Sequence, residues 1–234
     1  MTKFIVDDSF WELFPDAKIG VVLLKDYKAG DVSPYELQDL LADSNQIAKG
    51  YLIEDTFSEN PVIKVYRQAF QRFKTKKGAR SSIEALLKRT SGDNPVSSIN
   101  PLVDIYNAAS LRYALPCGAE DSDTFVGDLR LGITEGGDDF YLIGEDDNKP
   151  TLPNELCYTD EVGAVCRCLN WRDGKRTMIT NQTTNAFLVI ELLDPSREEA
   201  LHQALDFIIK QSVTFLGATA NKRILDKENP DMII

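Results

Sequence analysis

The sequence predicts an α+β fold, and three observations support it. Helical patterns fill most of the chain up to about residue 113, short apolar strands separated by Gly, Asp, Asn and Pro fill residues 124–193, and one long helix follows. This order differs from the alternating strands and helices of a parallel α/β protein. At 234 residues with 43% hydrophobic and 27% charged side chains, the chain is expected to form a single domain, 1–234, around one packed core.

The first part, residues 1–92, is predicted to be mostly helical with one strand. Ser33-Pro34, Asn60-Pro61 and Asn100-Pro101 each place a capping side chain before a proline at the start of a helical pattern. Ser81-Ser82-Ile83-Glu84 has the form of a capping box and predicts a further helix. A short amphipathic helix is expected at Asp8–Phe14. The apolar run Lys18-Ile19-Gly20-Val21-Val22-Leu23-Leu24 predicts the strand.

The second part, residues 93–193, is predicted to be a strand-rich core that carries the functional pocket. The expected strands are Phe125–Ile133, Phe140–Ile143, Glu155–Tyr158, Ala164–Leu169 and Asn185–Leu192. Residues 194–234 are predicted to form a closing helix after Asp194-Pro195, followed by a polar, weakly patterned tail at Lys222–Ile234.

The charge balance limits how this chain can contact nucleic acid. Its formal net charge is −11, whereas phosphate binding depends on Lys and Arg, so any RNA contact must be local. The densest basic group is Lys74, Lys76, Lys77 and Arg80. We predict these four residues as the RNA-binding candidates, although such clusters are more often solvated loops. No DNA contact is expected.

The N-terminal sequence and the hydropathy pattern predict a cytoplasmic protein. Residues 1–8 lack the basic segment and the long apolar run of a signal peptide. The longest apolar runs are too short to cross a membrane, so no membrane association is expected.

Several chemistries are disfavoured by the residues that are missing. The four cysteines, Cys117, Cys157, Cys166 and Cys168, contain no CxxC pair, and they are expected to be reduced and mostly buried. The single histidine, His202, falls on the polar side of the last helix, and the sequence contains no HExxH, P-loop or GxGxxG motif. We therefore predict no metal and no cofactor.

Two polar features stand out in apolar surroundings. Asn100, Asp104 and Asn107 lie at helical spacing, so they either form a polar strip for a ligand, or Asn100 caps the helix while the other two face solvent. Glu191 interrupts an apolar strand on the same side as Phe187 and Val189. It is either buried with partners or a ligand, or placed where the strand emerges into solvent.

The same residues carry a family likeness. Asn100-Pro101-Leu102-Val103-Asp104-Ile105-Tyr106-Asn107, then Pro116-Cys117-Gly118-Ala119-Glu120-Asp121, and later Gln182-Thr183-Thr184-Asn185-Ala186-Phe187-Leu188-Val189-Ile190-Glu191, resemble the tRNA-editing B3/B4 domain of the bacterial phenylalanyl-tRNA synthetase beta subunit. Phe10–Pro15 and Arg80–Leu86 resemble stand-alone B3/B4 proteins, which extends the likeness over most of the chain.

The resemblance implies a three-layer α+β fold with an unusual β-sandwich, and it implies editing chemistry. In the family this domain hydrolyses tyrosine wrongly attached to the phenylalanine tRNA, without a nucleophilic side chain. Transferred by position, Asn107 and Glu191 become the catalytic candidates, and Tyr106, Asp104, Gly118 and Glu120 become the substrate-binding candidates. The family's pocket histidine falls at Gly118, and the larger Tyr106 replaces a threonine, so the pocket is expected to differ in size and polarity.

Three functions remain open at this point. The leading one is a trans-acting deacylase for a mischarged aminoacyl-tRNA, since the chain lacks an aminoacylation domain. The second is a non-catalytic tRNA- or RNA-binding module that has kept the fold, and the third is a binder of an amino acid or another small metabolite.

Overall fold

The computed structural model describes residues 1–28 and 30–234. In that part of the chain six α-helices form: α1 (Asp8–Leu13), α2 (Tyr35–Lys49), α3 (Pro61–Ala69), α4 (Ser82–Thr90), α5 (Pro101–Tyr113) and α6 (Glu198–Leu216). Each lies within one or two residues of a helix predicted from the sequence, except that α6 follows a 3₁₀ turn at Pro195–Arg197.

The strands form two sheets. They are β1 (Lys3–Val6), β2 (Lys18–Lys25), β3 (Cys117–Asp121), β4 (Leu129–Ile133), β5 (Leu156–Thr159), β6 (Ala164–Arg167), β7 (Arg172–Asp173), β8 (Ala186–Leu192), β9 (Thr219–Leu225) and β10 (Asp231–Ile233). One sheet has six strands in the order β10-β1-β4-β5-β6-β7, and the other has four in the order β3-β8-β2-β9. All neighbours pair antiparallel except β1 and β4.

The two sheets pack face to face, and helices cover the outer face of the four-stranded sheet. Between the sheets, Phe4 of β1 meets Phe187 of β8 with ring centroids 5.0 Å apart. On the other face, Leu188 and Ile190 of β8 join the apolar side chains of α5 and α6 in a second cluster. Helices, sheet and sheet make the three layers that the resemblance implies, and the α+β class is confirmed.

The strand predictions differ from the structure at β1, β3, β7, β9 and β10 and at Phe140–Ile143. The segment predicted as a polar tail contains most of β9 and all of β10, which pair with β2 and β1 respectively. β1 and β3 were not predicted, because a short strand is hard to recognise without its partner. Phe140–Ile143 is not a strand and makes only isolated bridges, at Tyr141 and Leu142.

Helix capping follows the sequence at α5 and departs from it elsewhere. The Asn100 side chain accepts from the Val103 N–H at 3.0 Å, as a cap does. The Ser33 hydroxyl donates to Asp104 instead of capping α2. Ser81 precedes α4 without a side-chain capping bond, so the capping box does not form.

All four cysteines are buried free thiols, as predicted. Residues 1–28 and 30–234 contain no helix with the length and apolar character that crossing a membrane requires.

Candidate functional site

The predicted pocket residues meet between the two sheets. The register pairs Gly118 with Val189 and Glu120 with Phe187, so these side chains share the face of β8 that carries Glu191. From the six-stranded sheet come Tyr158, Cys166 and Asp173. Together with Asn170 they form what we call the inter-sheet polar cluster: Glu120, Tyr158, Cys166, Asn170, Asp173 and Glu191.

Glu191 is fully buried and its carboxylate is bonded by the protein itself. The Tyr158 hydroxyl donates to Oε1 at 2.5 Å, and the Asn170 amide Nδ2 donates to Oε1 at 2.8 Å and to Oε2 at 2.7 Å. The Glu191 backbone carbonyl accepts from the Tyr66 hydroxyl at 2.6 Å. The structure thus places Glu191 inside the core, with partners that offset the cost of burying a charge.

Gly118 is required because Asn170 occupies the space beside it. A Cβ built at Gly118 would lie only 1.9 Å from the Asn170 Oδ1. Asn170 has a φ of 51°, in the left-handed region that asparagine tolerates better than most residues. The Asn170 amide, from the turn between β6 and β7, therefore fills the space where the family has a histidine side chain.

Glu120, Cys166 and Asp173 form the side of the cluster that carries an unsatisfied oxygen, which we call its open side. Their ligand atoms lie within 4.8 Å of one another, and Glu120 Oε2 is buried with no partner among the described residues. Asp173 is half-buried as a residue, while its carboxyl is buried enough for desolvation to raise its pKa. A cysteine sulfur with two carboxylates is a donor set that a zinc ion accepts, although burial and the nearby carboxylates raise the pKa of the Cys166 thiol.

The electrostatics of the cluster are set by burial. Desolvation raises the pKa of Glu120 well above its ordinary value, and the neighbouring Asp173 raises it further. Burial also raises the pKa of Asp173, and it raises the pKa of Glu191 to about 7 against the hydrogen bonds from Tyr158 and Asn170. Carboxyl groups this close share protons, so the cluster carries fewer than three negative charges at neutral pH.

Tyr106 and Asn107 lie on α5, which packs against β3. Burial raises the pKa of the Tyr106 phenol well above its ordinary value, and so do the nearby carboxylates Asp173 and Glu120. Asn107 is 9% exposed, and its amide forms no hydrogen bond with any described residue. An amide of this kind can bond a polar ligand.

Asp104 has a structural role. It is fully buried; its Oδ2 accepts from the Ser33 hydroxyl at 2.5 Å and from the Ser98 hydroxyl, and its Oδ1 accepts from the Ile99 N–H at 2.8 Å. Neither of the alternatives predicted for the polar strip describes it, because it faces neither a ligand nor solvent. We therefore leave Asp104 out of the proposed site.

The predicted RNA-binding residues lie in the segment that joins α3 to α4. Lys74, Lys77 and Arg80 are exposed, and Lys76 is half-buried. Burial lowers the pKa of Lys76, and the neighbouring Arg167 and Lys149 lower it further. In the described part of the chain none of the four forms an ion pair, so this segment has local positive charge on an acidic protein.

The residues that sequence reasoning missed are Tyr158, Cys166, Asn170 and Asp173. Three of them belong to the facing sheet, whose alignment with β8 cannot be read from local patterns. Asn170 carried the one available signal, since asparagine is among the few residues that adopt a positive φ without large strain.

We expect the pH dependence of stability to change when Glu191 is replaced by Gln. A carboxyl whose pKa rises on folding stabilises the fold fully below its unfolded value near 4.5 and loses that contribution as the pH rises through about 7. A shift of this size corresponds to about 3 kcal/mol. Between pH 5 and 8 the wild type should therefore lose stability relative to Glu191→Gln, as measured by urea unfolding.

Glu120 and Asp173 titrate in both proteins, so the difference between the two curves reports on Glu191 together with its coupling to Asp173. Parallel curves for the two proteins would show that Glu191 does not titrate in this range.

A family model described as B3/4 domain matches residues 65–214, which is more than half of the chain. The chain belongs to the B3/4 domain family. It is also 29% identical over 136 residues to the phenylalanine–tRNA ligase beta subunit of Psychrobacter arcticus, covering 55% of this chain and 17% of that subunit. It thus spans only a small part of the relative that it matches.

Among solved structures, the chain is similar to an N-terminal fragment of the phenylalanyl-tRNA synthetase beta subunit from Pyrococcus horikoshii. The TM-score is 0.47 at 12% identity, and the match covers 93% of this chain and 49% of that one.

The B3/4 match contains the whole candidate site. Every member of the inter-sheet polar cluster, the α5 pair Tyr106 and Asn107, and the basic segment fall between residues 65 and 214. β1, β2, β9 and β10 lie outside the match, yet they complete both sheets. The flanking regions of this B3/4 protein therefore hold the site in place.

Proposed function

We propose that this B3/4 protein is a trans-acting deacylase that hydrolyses the ester of a mischarged aminoacyl-tRNA. One observation carries the proposal: the acidic cluster around Glu191 sits where the family resemblance places its pocket, and its open side offers a buried Glu120 oxygen without a partner. A buried polar atom of this kind gains a bond when a ligand donates to it. The ammonium of an aminoacyl ester is such a donor.

The groups on the open side suit an ester. Asp173 and Glu120 would receive the ammonium group, and the Asn107 amide would donate to the ester carbonyl as negative charge develops on its oxygen. A water is then activated by whichever carboxyl of the pair is ionised. An aminoacyl ester is already activated, so positioning alone supplies a large rate factor.

Glu191 acts through its partner rather than on the substrate. Its two hydrogen bonds with Asn170 fix that side chain against Gly118 and so define the inner wall of the pocket. The resemblance makes Glu191 a catalytic candidate, and we assign it a positioning role instead.

The test is a deacylation panel with mischarged tRNAs, run with the wild type, Asn107→Ala and Glu120→Gln. Removal of one donor to a developing oxyanion typically costs about 100-fold in rate, and we expect a loss of that order for Asn107→Ala. Asn221→Ala, an exposed asparagine on β9, is the matched control and should retain full activity. No deacylation by the wild type above the background rate on any tRNA would overturn the proposal.

A non-catalytic tRNA-binding module is the second candidate, and one contact favours it. The glutamate that in the family reads a tyrosine hydroxyl is bonded here to the chain's own Tyr158 hydroxyl. This function predicts salt-sensitive tRNA binding that weakens when Lys76, Lys77 and Arg80 are neutralised, without ester cleavage.

A further inference from the structure

A cavity of about 340 Å³ lies outside the inter-sheet polar cluster, between α3 and the start of α4. It is within the size range of small-molecule sites. The residues that determine its chemistry are Tyr66, Arg67, Phe70, Arg80, Ser81 and Glu84. Tyr66 also donates to the Glu191 backbone carbonyl, so the cavity adjoins the proposed active site through this side chain.

Ser81 contributes an unsatisfied buried hydroxyl to the lining of this cavity. The residue is 1% exposed and lines the cavity, and its hydroxyl has no partner among the described residues. The neighbouring Ser82 hydroxyl is likewise buried without a partner. Buried hydroxyls are bonded in most proteins, so the Ser81 hydroxyl, which lines the cavity, is free to donate to an acceptor from outside the chain.

The groups around the start of α4 favour a negatively charged ligand. α4 starts at Ser82, and the N–H groups of its first turn have no acceptor within the helix and carry the positive end of its dipole. Glu84 would oppose an anion, but Arg67 binds it with two bonds, at 2.6 and 3.1 Å, and neutralises it. Arg80 is exposed and forms no ion pair within the described residues, so it supplies the remaining charge.

We propose that this cavity binds the phosphate group of a nucleotide. The phosphate would sit at the N-terminus of α4 against the Ser81 hydroxyl and Arg80, an arrangement that suits phosphate generally. The cavity is larger than a phosphate alone, and its apolar wall at Phe70 leaves room for the attached nucleoside. That the nucleotide belongs to tRNA rests on the proposed function; the phosphate site itself does not.

The test measures binding of adenosine 5′-monophosphate, adenosine and inorganic phosphate to the full chain at fixed ionic strength. We expect the monophosphate to bind at least about tenfold more tightly than adenosine or phosphate alone, and Arg80→Ala and Ser81→Ala each to weaken it several-fold. Ser81→Ala should leave the Tm unchanged, because its hydroxyl makes no bond in the free protein. Arg223→Ala, an exposed arginine on β9, is the charge-matched control.

Three results would overturn the proposal. They are no preference for the monophosphate over adenosine, an equal loss in Arg223→Ala and Arg80→Ala, and binding of the monophosphate no tighter than that of phosphate. Deacylation is measured in parallel: binding that persists in a protein without deacylase activity overturns the proposed function but leaves the nucleotide site intact. If the KM of deacylation for tRNA is unchanged in Arg80→Ala, the bound nucleotide does not belong to tRNA.

Discussion

Gly118→Ala should destabilise the protein by about 3 kcal/mol, which is large for the addition of one methyl group. The new Cβ would lie 1.9 Å from the Asn170 Oδ1, and the side chain must move away. Asn170 then loses its bonds to both oxygens of Glu191, and a buried carboxyl keeps only the Tyr158 hydroxyl. Urea unfolding at pH 8, where Glu191 is mostly ionised, should give the largest effect.

A double-mutant cycle with Asn170→Gly separates this contact from a general intolerance of β3. In the Asn170→Gly background the clash is gone, so Gly118→Ala should cost less than about 1 kcal/mol, and the two effects should be strongly non-additive. An equal cost in both backgrounds would mean that the methyl group meets something other than Asn170.

Arg167→Met should cost about 4 kcal/mol, because it leaves a charge buried without its partner. Arg167 and Glu155 are 2% and 0% exposed in their side chains, and they form two bonds, at 2.5 and 2.7 Å. The guanidinium also donates to the Lys149 carbonyl at 3.0 Å and lies over the Phe140 ring. Methionine keeps much of the packing, so the loss reports mainly on the ion pair.

The matched control is Arg130→Met, which removes a surface ion pair with Asp7 and should cost less than about 1 kcal/mol. Adding Glu155→Gln to Arg167→Met should recover part of the loss, because it removes the unpaired charge. Equal destabilisation by the two arginine substitutions, measured by urea unfolding, would contradict the prediction.

The sequence was a good guide to local structure. Proline after a capping residue predicted the starts of α3 and α5 within one residue, because capping and the fixed φ of proline act over only a few neighbours. β9 and β10 were read as a polar tail, because their hydrogen-bond partners are at the other end of the chain. Pairing over such distances leaves little trace in a single sequence.

In the candidate site, too, the sequence indicated single residues but not the contacts between the sheets. Glu191 stood out because a carboxylate in an apolar strand needs an explanation, and Asn107 because of the resemblance. Tyr158 and Asn170 did not stand out, because they contact Glu191 only when the two sheets pack together. The capping box at Ser81 failed for a different reason: Glu84 bonds Arg67, and the serine hydroxyl is left for the cavity.

The position of β1 and β2 inside their sheets has a consequence for synthesis. β1 lies between β4 and β10, and β2 lies between β8 and β9, so the earliest strands leave the ribosome long before their partners exist. β1 keeps one unpaired edge until β10 has emerged, and β2 keeps one until β9 has emerged. We therefore expect the nascent protein to keep unpaired strand edges, and to need protection by chaperones, until β9 and β10 have emerged.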